Sequence, residues 1–281
     1  MIEPFVAALK GRHDYARQWK ARTEGRVVGY LCTYVPEELL YAAGTLPVRV
    51  LGSHEPQDVT EPHIFGIFCP FCRDVLAQGL LGRYSYLDGL VKARSCMHMR
   101  NAFTSWRRHV PVPFSYYIGM PAVPQLESAR DFLVGELGAF REALGGWTGQ
   151  PIAEDGLRGA VEVYNTNRRL MRQLYETRKA ERPPLSGAEA MQVALAAQVM
   201  DKREHSALLT DLLARLDFRL VDSAGRGEVW DEIQEVKVVR GTFLATLGQE
   251  RGLPSPGALR LSWRLVAVAP LDSGWTVGPL R

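Results

Sequence analysis

The first part of the chain alternates short apolar runs with amphipathic stretches. Residues 26–32 read Arg-Val-Val-Gly-Tyr-Leu-Cys, an apolar run that is β-branched at its start and predicts a buried strand. Residues 36–44 predict a helix, because proline stands in the first turn, two acids follow it and glycine ends the segment. Residues 46–51 predict a second strand. Strand–helix–strand is the repeating unit of a parallel sheet.

The same alternation continues to about residue 120. Three more apolar runs are interpreted as strands, at 64–68, 87–93 and 112–118. The segments between them, 73–81 and 100–108, are helix-like. We therefore expect residues 26–120 to form a Rossmann-like α/β domain with a mainly parallel sheet. Residues 1–25 are polar with a few apolar positions, and they predict one N-terminal helix that touches the core.

Residues 121–216 change to helical periodicity. Four apolar positions are spaced by four, three and four residues, as on one face of a helix: Leu133, Leu137, Phe140 and Leu144. Ser186 and Glu189 have the spacing of a capping box, and a leucine-rich face ends at Leu216. Beyond it, helical periodicity fades in an atypical tail, 217–281, with candidate strands at 236–239 and 265–268.

Composition places the chain among globular proteins. Hydrophobic residues are 46% and charged residues 23%, which excludes disordered and collagen-like chains. The net charge of +3 is small and scattered, so we expect no nucleic-acid partner. No apolar run approaches the ~18 residues of a membrane span, and no basic region followed by a long apolar stretch opens the chain. We expect a cytoplasmic protein without a membrane partner.

All four cysteines fall within the first 96 residues. In a reducing compartment, such cysteines are more often metal ligands or redox groups than disulfides. Two groups, Cys69-Pro-Phe-Cys72 and Ser95-Cys96-Met-His98, each follow a predicted strand. Ligand sites of open α/β sheets lie at that edge, and a following helix lowers the pKa of a thiol at its N-terminus. Such thiolates can hold iron–sulfur clusters.

Three other interpretations of these cysteines stay open. Cys69, Cys72, Cys96 and His98 supply the three sulfurs and one nitrogen of a tetrahedral zinc site. Cys69 and Cys72 alone have the spacing of a dithiol redox pair. Buried cysteines also occur as small hydrophobic residues without chemistry, and this fits Cys32 at a strand end and Cys72 on a core-facing helix.

Several dispersed motifs, in order, carry a resemblance to a known family. They are Gly-Tyr-Leu-Cys-Thr-Tyr-Val-Pro-Glu-Glu-Leu at 29–39, Ala-Ala-Gly-x-Leu-Pro-Val-Arg at 42–49, Cys-Pro at 69–70, Gly-Arg-Tyr at 82–84, Leu-Asp-Gly at 87–89, Ser-Cys at 95–96, Tyr-Tyr at 116–117, Tyr-Asn-x-Asn-Arg at 164–168 and Gly-Ala-Glu at 187–189. Over 12–216 the chain resembles the 2-hydroxyacyl-CoA dehydratase / benzoyl-CoA reductase family. It is nearest the cluster-bearing subunits of the benzoyl-CoA reductase type.

The resemblance implies a fold, a cofactor and partners. Family members pair two homologous subunits, each with two Rossmann-like domains and a [4Fe-4S] cluster held by three cysteines. A separate activator hydrolyses ATP and passes on one electron of low potential. The electron reaches a CoA thioester, which then loses a 2-hydroxyl group as water or has its aromatic ring reduced. A dry site protects such an electron from protons and oxygen.

The resemblance also assigns residues. Cys69 and Cys96 match the first two cluster ligands, and Cys72 is a substitute for the third, whose family position in the second α/β domain has no cysteine here. This predicts a truncated or frame-shifted second domain in 217–281. Glu37 and His98 are candidate proton donors, with structural roles as their alternatives: a charge partner for a helix N-terminus, and a loop or core histidine.

Two other functions remain open beside this one. The first is a thiol–disulfide oxidoreductase using Cys69 and Cys72. The second is a zinc-stabilised or degenerate partner subunit without catalysis.

Overall fold

A parallel sheet forms the centre of the protein. The computed structural model describes residues 1–53, 55–180, 183–216, 236–241 and 265–270. Within these residues the parallel sheet has the strand order β2-β1-β3-β4. Its strands are β1 (Arg26–Leu31), β2 (Thr45–Arg49), β3 (Gly89–Ala93) and β4 (Phe114–Ile118). The predicted α/β fold with a mainly parallel sheet is confirmed.

Helices precede, connect and follow these strands. They are α1 (Glu3–Lys10), α2 (Arg12–Thr23), α3 (Glu37–Ala42), α4 (Pro70–Leu80), α5 (Met97–His109), α6 (Ser128–Thr148), α7 (Glu154–Thr177), α8 (Gly187–Ala196) and α9 (Lys202–Leu216). A 3-10 turn lies at Asp58–Thr60. No helix among the described residues combines the length and apolar character that crossing a membrane requires.

The two faces of the sheet carry separate hydrophobic cores. On one face Trp19 of α2, Leu76 of α4 and Phe103 of α5 pack together with the strands. On the other face Leu40 of α3 and Phe140 of α6 pack against the opposite side chains of the same strands. Because strand residues alternate between faces, the nearly continuous apolar strands serve both cores.

A third core joins helices that lie away from the sheet. Residues of α1, α7, α8 and α9 pack in it, among them Phe5, Leu174 and Leu209. Helix α8 begins at the capping box that the sequence predicts, since Ser186 accepts a hydrogen bond from the Glu189 backbone and the Glu189 side chain reaches back to Ser186. The predicted helical region is thus confirmed as α6 to α9.

Two sequence predictions are wrong in detail. The single N-terminal helix is two helices, which meet at Gly11, a residue with a high intrinsic cost in a helix interior. The apolar run at 64–68 is not a strand but a series of turns, in which Ile64 is buried while Phe65 and Ile67 face outward. Without a neighbouring strand at this position, an apolar run has no ladder of hydrogen bonds to join.

The tail contains the two strands expected from the sequence. Strands β5 (Val236–Gly241) and β6 (Leu265–Pro270) pair antiparallel. The remaining positions of the tail at 217–281, and with them the expectation of a truncated second domain, lie outside the described residues.

Candidate functional site

The order of the strands creates a crevice between β1 and β3. From β1 the chain crosses to β2 on one side, and it then returns to place β3 on the other side of β1. In open α/β sheets, ligands bind at such a switch point, outside the carboxyl ends of the strands. Cys32 directly follows β1, and Cys96 follows β3 by three residues. Two of the four cysteines therefore border this crevice.

Two cysteines occupy the N-caps of the helices that begin at this edge. Cys69 is the N-cap of α4, with Pro70 in the first helical position. Cys96 is the N-cap of α5, and its Sγ accepts a hydrogen bond from the backbone N–H of Met99 at 3.3 Å. Both residues are exposed.

Cys72 lies in the first turn of α4 and packs in the core on one face of the sheet. Cys72 is buried and shares a side-chain hydrogen bond with Cys69. Burial raises the pKa of the Cys72 thiol strongly, and the nearby thiols of Cys69, Cys96 and Cys32 raise it further. The thiols of Cys69, Cys96 and Cys32 are therefore near enough to influence Cys72, and their role as a ligand set stays a prediction.

Cys32 has an unusual backbone conformation. Its φ of 65° lies in the left-handed region, which costs an L-residue with a Cβ about 1–2 kcal/mol. The strained turn ends β1 and redirects the chain toward α3. Cys32 is partly exposed and packs against the core on one face of the sheet, so the interpretation of it as a strand-end thiol without chemistry stays open.

His98 contacts the cysteine group directly. Its Nδ1 accepts a hydrogen bond from the backbone N–H of Cys69 at 3.0 Å, and its ring stacks on Phe68 with centroids 4.8 Å apart. Because Nδ1 is the acceptor, the neutral ring carries its proton on Nε2. The structure places His98 at the site and gives it a structural bond there, and its role as a proton donor stays a prediction.

Glu37 is held by a different set of partners. It lies in the first turn of α3, and its Oε2 is 3.3 Å from the ammonium of Lys202 on α9. The hydroxyl of Tyr30 hydrogen-bonds to Glu37, and burial together with the Glu37 charge raises the pKa of Tyr30 well above its usual value. These contacts fit the structural alternative, a charged anchor for α3, and the proton-donor role of Glu37 also stays a prediction.

The sequence suggested two metal groups for these side chains, a zinc ion and an iron–sulfur cluster. Among the described residues, no three or more His, Cys, Asp or Glu side chains are grouped to hold a metal ion, which gives the zinc interpretation no support. A [4Fe-4S] cluster differs, since its cysteines bind different irons. The buried hydroxyl of Ser95, beside Cys96, has no hydrogen-bond partner, as expected beside an acceptor such as cluster sulfur.

One charged residue at this site was not identified from the sequence. Lys92 interrupts the apolar run at 87–93, and in the structure its side chain is fully buried on β3 beside the thiols. The sequence signal for this residue was a lysine inside an apolar run predicted to be a buried strand, because lysine is almost never fully buried unless it is paired.

Comparison with known proteins agrees with the resemblance. Residues 32–235 match the family described as 2-hydroxyglutaryl-CoA dehydratase, D-component. The chain belongs to this family. It is 31% identical over 202 residues to a benzoyl-CoA reductase subunit of Thauera aromatica, covering 71% of this chain and 52% of that protein.

Two dehydratase subunits are also similar. Identity to the (R)-2-hydroxyglutaryl-CoA dehydratase beta subunit of Acidaminococcus fermentans is 28% over 218 residues, 75% of this chain and 56% of the relative. Identity to the (R)-phenyllactyl-CoA dehydratase beta subunit of Clostridium sporogenes is 24% over 209 residues, 74% of this chain and 56% of the relative. The chain thus spans about half the length of these relatives.

Proposed function

We propose that the chain is the iron–sulfur subunit of an acyl-CoA dehydratase or aryl-CoA reductase. In this proposal it receives a low-potential electron from a separate, ATP-hydrolysing activator and delivers it to a CoA thioester together with a homologous second subunit. The four cysteines are free thiols, which fits a reducing, cytoplasmic setting. The similarity to subunits of a reductase and of dehydratases supports both reaction types.

The position of two cysteines at the carboxyl edge of the sheet carries this proposal. Cys69 and Cys96 are exposed N-cap residues of the two helices that begin at this edge. Both are the positions that match the family's ligands. A [4Fe-4S] cluster held here would supply one-electron chemistry.

The residues of the chain divide the remaining tasks. Cys69 and Cys96 would bind iron, with Cys72 as the substitute third ligand. His98 would keep Cys69 in place through its hydrogen bond to the Cys69 backbone. Glu37, anchored by Lys202, would fix the loop at 33–36 that connects Cys32 to α3 and borders the crevice where the thioester approaches.

One observation favours a second candidate function. Cys69 is an exposed thiol at a helix N-terminus, and Cys72 is a buried thiol one turn later in contact with it. A thiol–disulfide oxidoreductase uses this combination of an accessible nucleophile and a protected resolving thiol. Cys96 and Lys92, which lie near this pair, have no role in thiol–disulfide exchange by Cys69 and Cys72.

Anaerobic purification with iron, sulfide and zinc analysis separates these functions. We expect about four irons and four sulfides per chain with broad visible absorption. Cys69→Ser and Cys96→Ser are expected to lose most of the iron. Cys32→Ser is the matched control, because Cys32 belongs to the same group of thiols but matches no ligand position in the family.

The other outcomes would each contradict the proposal. One zinc per chain would support a zinc-stabilised partner subunit instead. A colourless, metal-free protein with disulfide reductase activity that is lost in Cys69→Ser would support the oxidoreductase. Iron that is unaffected by Cys69→Ser and Cys96→Ser would place the metal elsewhere.

A further inference from the structure

Strand β4 forms one edge of the parallel sheet. Its inner side pairs with β3, and within the described residues no strand lies on its outer side. The β4 sequence, Phe-Ser-Tyr-Tyr-Ile at 114–118, contains neither a charge nor a proline. Proteins usually protect an open edge with charged side chains, proline, a bulge or a covering element. The residues of β4 therefore do not oppose pairing with a further strand.

The backbone hydrogen bonds of β4 show which of its residues face outward. The Phe114 N–H donates to the carbonyl of the residue before β3 at 3.1 Å, and the Ile118 carbonyl accepts from the N–H of the residue after β3 at 2.9 Å. Because the direction of these groups alternates along a strand, the N–H and C=O of Ser115 and Tyr117 point away from β3. These groups form the outer edge of the sheet.

This outer edge is complementary to itself. When a second copy lies antiparallel with Tyr116 on the two-fold axis, Ser115 of each copy stands opposite Tyr117 of the other. Each of these pairs exchanges two N–H···O=C hydrogen bonds, and the two Tyr116 side chains meet as a non-hydrogen-bonded cross-strand pair. Since β4 carries no charge, the arrangement brings no like charges together within the strand pair.

An apolar surface on and before α6 continues from this edge. Val123 and Leu126 are exposed in the segment that leads to α6, and Phe132 and Val134 are exposed on the helix. The Phe132 ring lies beside Gly119, directly after β4, where a Cβ would be 3.2 Å from it. The antiparallel arrangement places the end of one β4 beside the start of the other, so this surface extends the contact on both sides of the axis.

We propose that β4 is an interface between two copies of this chain, which pair antiparallel and join their parallel sheets into one. The exposed residues on and before α6 add the apolar area that a strand pair of this length lacks. The interface would exist in addition to contacts with the homologous second subunit of the proposed function. It needs no cluster, so its test uses the iron-free chain of 281 residues.

Ser115→Pro removes the outward N–H and leaves the hydrogen bonds to β3 in place. Proline occurs in edge strands where the N–H faces solvent, so we expect this variant to fold, with a melting temperature near that of the monomer. Ser115→Ala keeps the N–H and is the matched control. In sedimentation equilibrium, wild type and Ser115→Ala should have the mass of two chains, whereas Ser115→Pro should dimerise about tenfold more weakly or less.

Phe132→Glu tests the apolar surface independently of the strand. Its control is Met191→Glu on α8, because Phe132 and Met191 have the same exposed fraction, 48%. Both changes are at the surface, so both variants should fold even if Ser115→Pro does not. We expect Phe132→Glu to weaken dimerisation by about tenfold or more, since it places a charge in an apolar contact, and Met191→Glu to leave dimerisation unchanged.

Hydrogen exchange locates the interface within the chain. The Ser115 and Tyr117 amides should exchange about tenfold more slowly in the wild-type dimer than in Phe132→Glu, because their acceptors lie on the other copy. A monomeric wild type, a dimer that is as stable in Ser115→Pro as in Ser115→Ala, or exchange at these two amides that is independent of dimerisation would each overturn the proposal. A complex that forms only with the homologous second subunit would also contradict it.

Discussion

The backbone N–H of Cys69 donates a hydrogen bond to Nδ1 of His98 at 3.0 Å. This bond joins the start of α4 to the first turn of α5, although the two residues are 29 positions apart in sequence. Both helices begin at a cysteine of the site. The distance between the Cys69 and Cys96 thiols therefore depends on a hydrogen bond in which neither thiol takes part.

We expect His98→Ala to loosen this junction. Removing the acceptor leaves the Cys69 N–H without its partner and costs about 1 kcal/mol of unfolding free energy in urea titrations. We expect iron to be lost faster to a chelator as well. His98→Asn is the control, because its side-chain oxygen can take the place of Nδ1. Equal iron loss in the two variants would show that the ring stacking on Phe68 matters instead.

The packing of α4 on α5 depends on Gly79. A Cβ at this position would lie 2.9 Å from three carbons of the buried Trp106 ring, too close for either helix to keep its place. We expect Gly79→Ala to lower the free energy of unfolding by about 1–3 kcal/mol, the usual cost of overpacking. The strain should also shift α4 relative to α5 and lower the iron content.

Gly138→Ala is the matched control for this prediction. Gly138 lies in α6, where a Cβ would meet open space. Because alanine has the higher helix propensity, we expect this change to stabilise the protein by about 0.5–1 kcal/mol. Thermal unfolding of both variants measures the contrast. A Gly79→Ala protein as stable as Gly138→Ala would contradict the close packing of the two helices.

The ion pair between Glu38 and Arg168 fixes α3 to α7. The Glu38 side chain is only 9% exposed, and Arg168 Nη2 donates to its Oε1. We expect Arg168→Met to cost about 3 kcal/mol in chemical denaturation, because it leaves a buried carboxylate unpaired. The double variant with Glu38→Met should recover most of this loss. A double-mutant cycle without coupling would show that the two residues do not stabilise each other.

Acid should destabilise the helical core through His205. This residue is fully buried, Asn167 Nδ2 lies 2.8 Å from its Nδ1, and its Nε2 lies 3.0 Å from the Val193 carbonyl. Burial, helped by the charge of Lys202, lowers its pKa from 6.5 to about 4. The unfolded chain therefore binds this proton more readily than the folded chain does.

The free energy of unfolding should consequently decrease as pH falls from 6.5 to about 4. The full loss from His205 is about 3 kcal/mol, since one pKa unit corresponds to about 1.4 kcal/mol. Urea titrations across this range measure the slope. His205→Gln cannot take up the proton, so its stability should depend less on pH there. An identical slope in both proteins would assign the effect to other groups.

Local patterns in the sequence were sufficient for most of the fold. Burial of a parallel strand on both faces gives the apolar runs of β1 and β3, and proline and glycine mark the ends of α3. The capping box of α8 involves residues three positions apart. Such signals are contained within one element, so no knowledge of its neighbours is needed to interpret them.

The run at 64–68 shows where local patterns are insufficient. Its composition fits a strand, but Phe65 and Ile67 are exposed in a turn before Cys69. A strand requires a partner edge as well as apolar residues, and the partner is decided by the whole sheet. The sequence alone therefore placed Cys69 between a strand and a helix predicted to begin at residue 73, whereas the helix begins at Pro70 and the segment before Cys69 is not a strand.

The sequence by itself determined the family, the parallel sheet and the identity of the cysteines at its edge. Only the tertiary structure decided that Cys32 adopts a left-handed conformation near Cys72, that Glu37 pairs with Lys202 and that Lys92 is fully buried on β3. These relationships join residues far apart in the chain. They depend on the order in which the strands assemble, since that order brings the ends of β1 and β3, and the helices that follow, to one crevice.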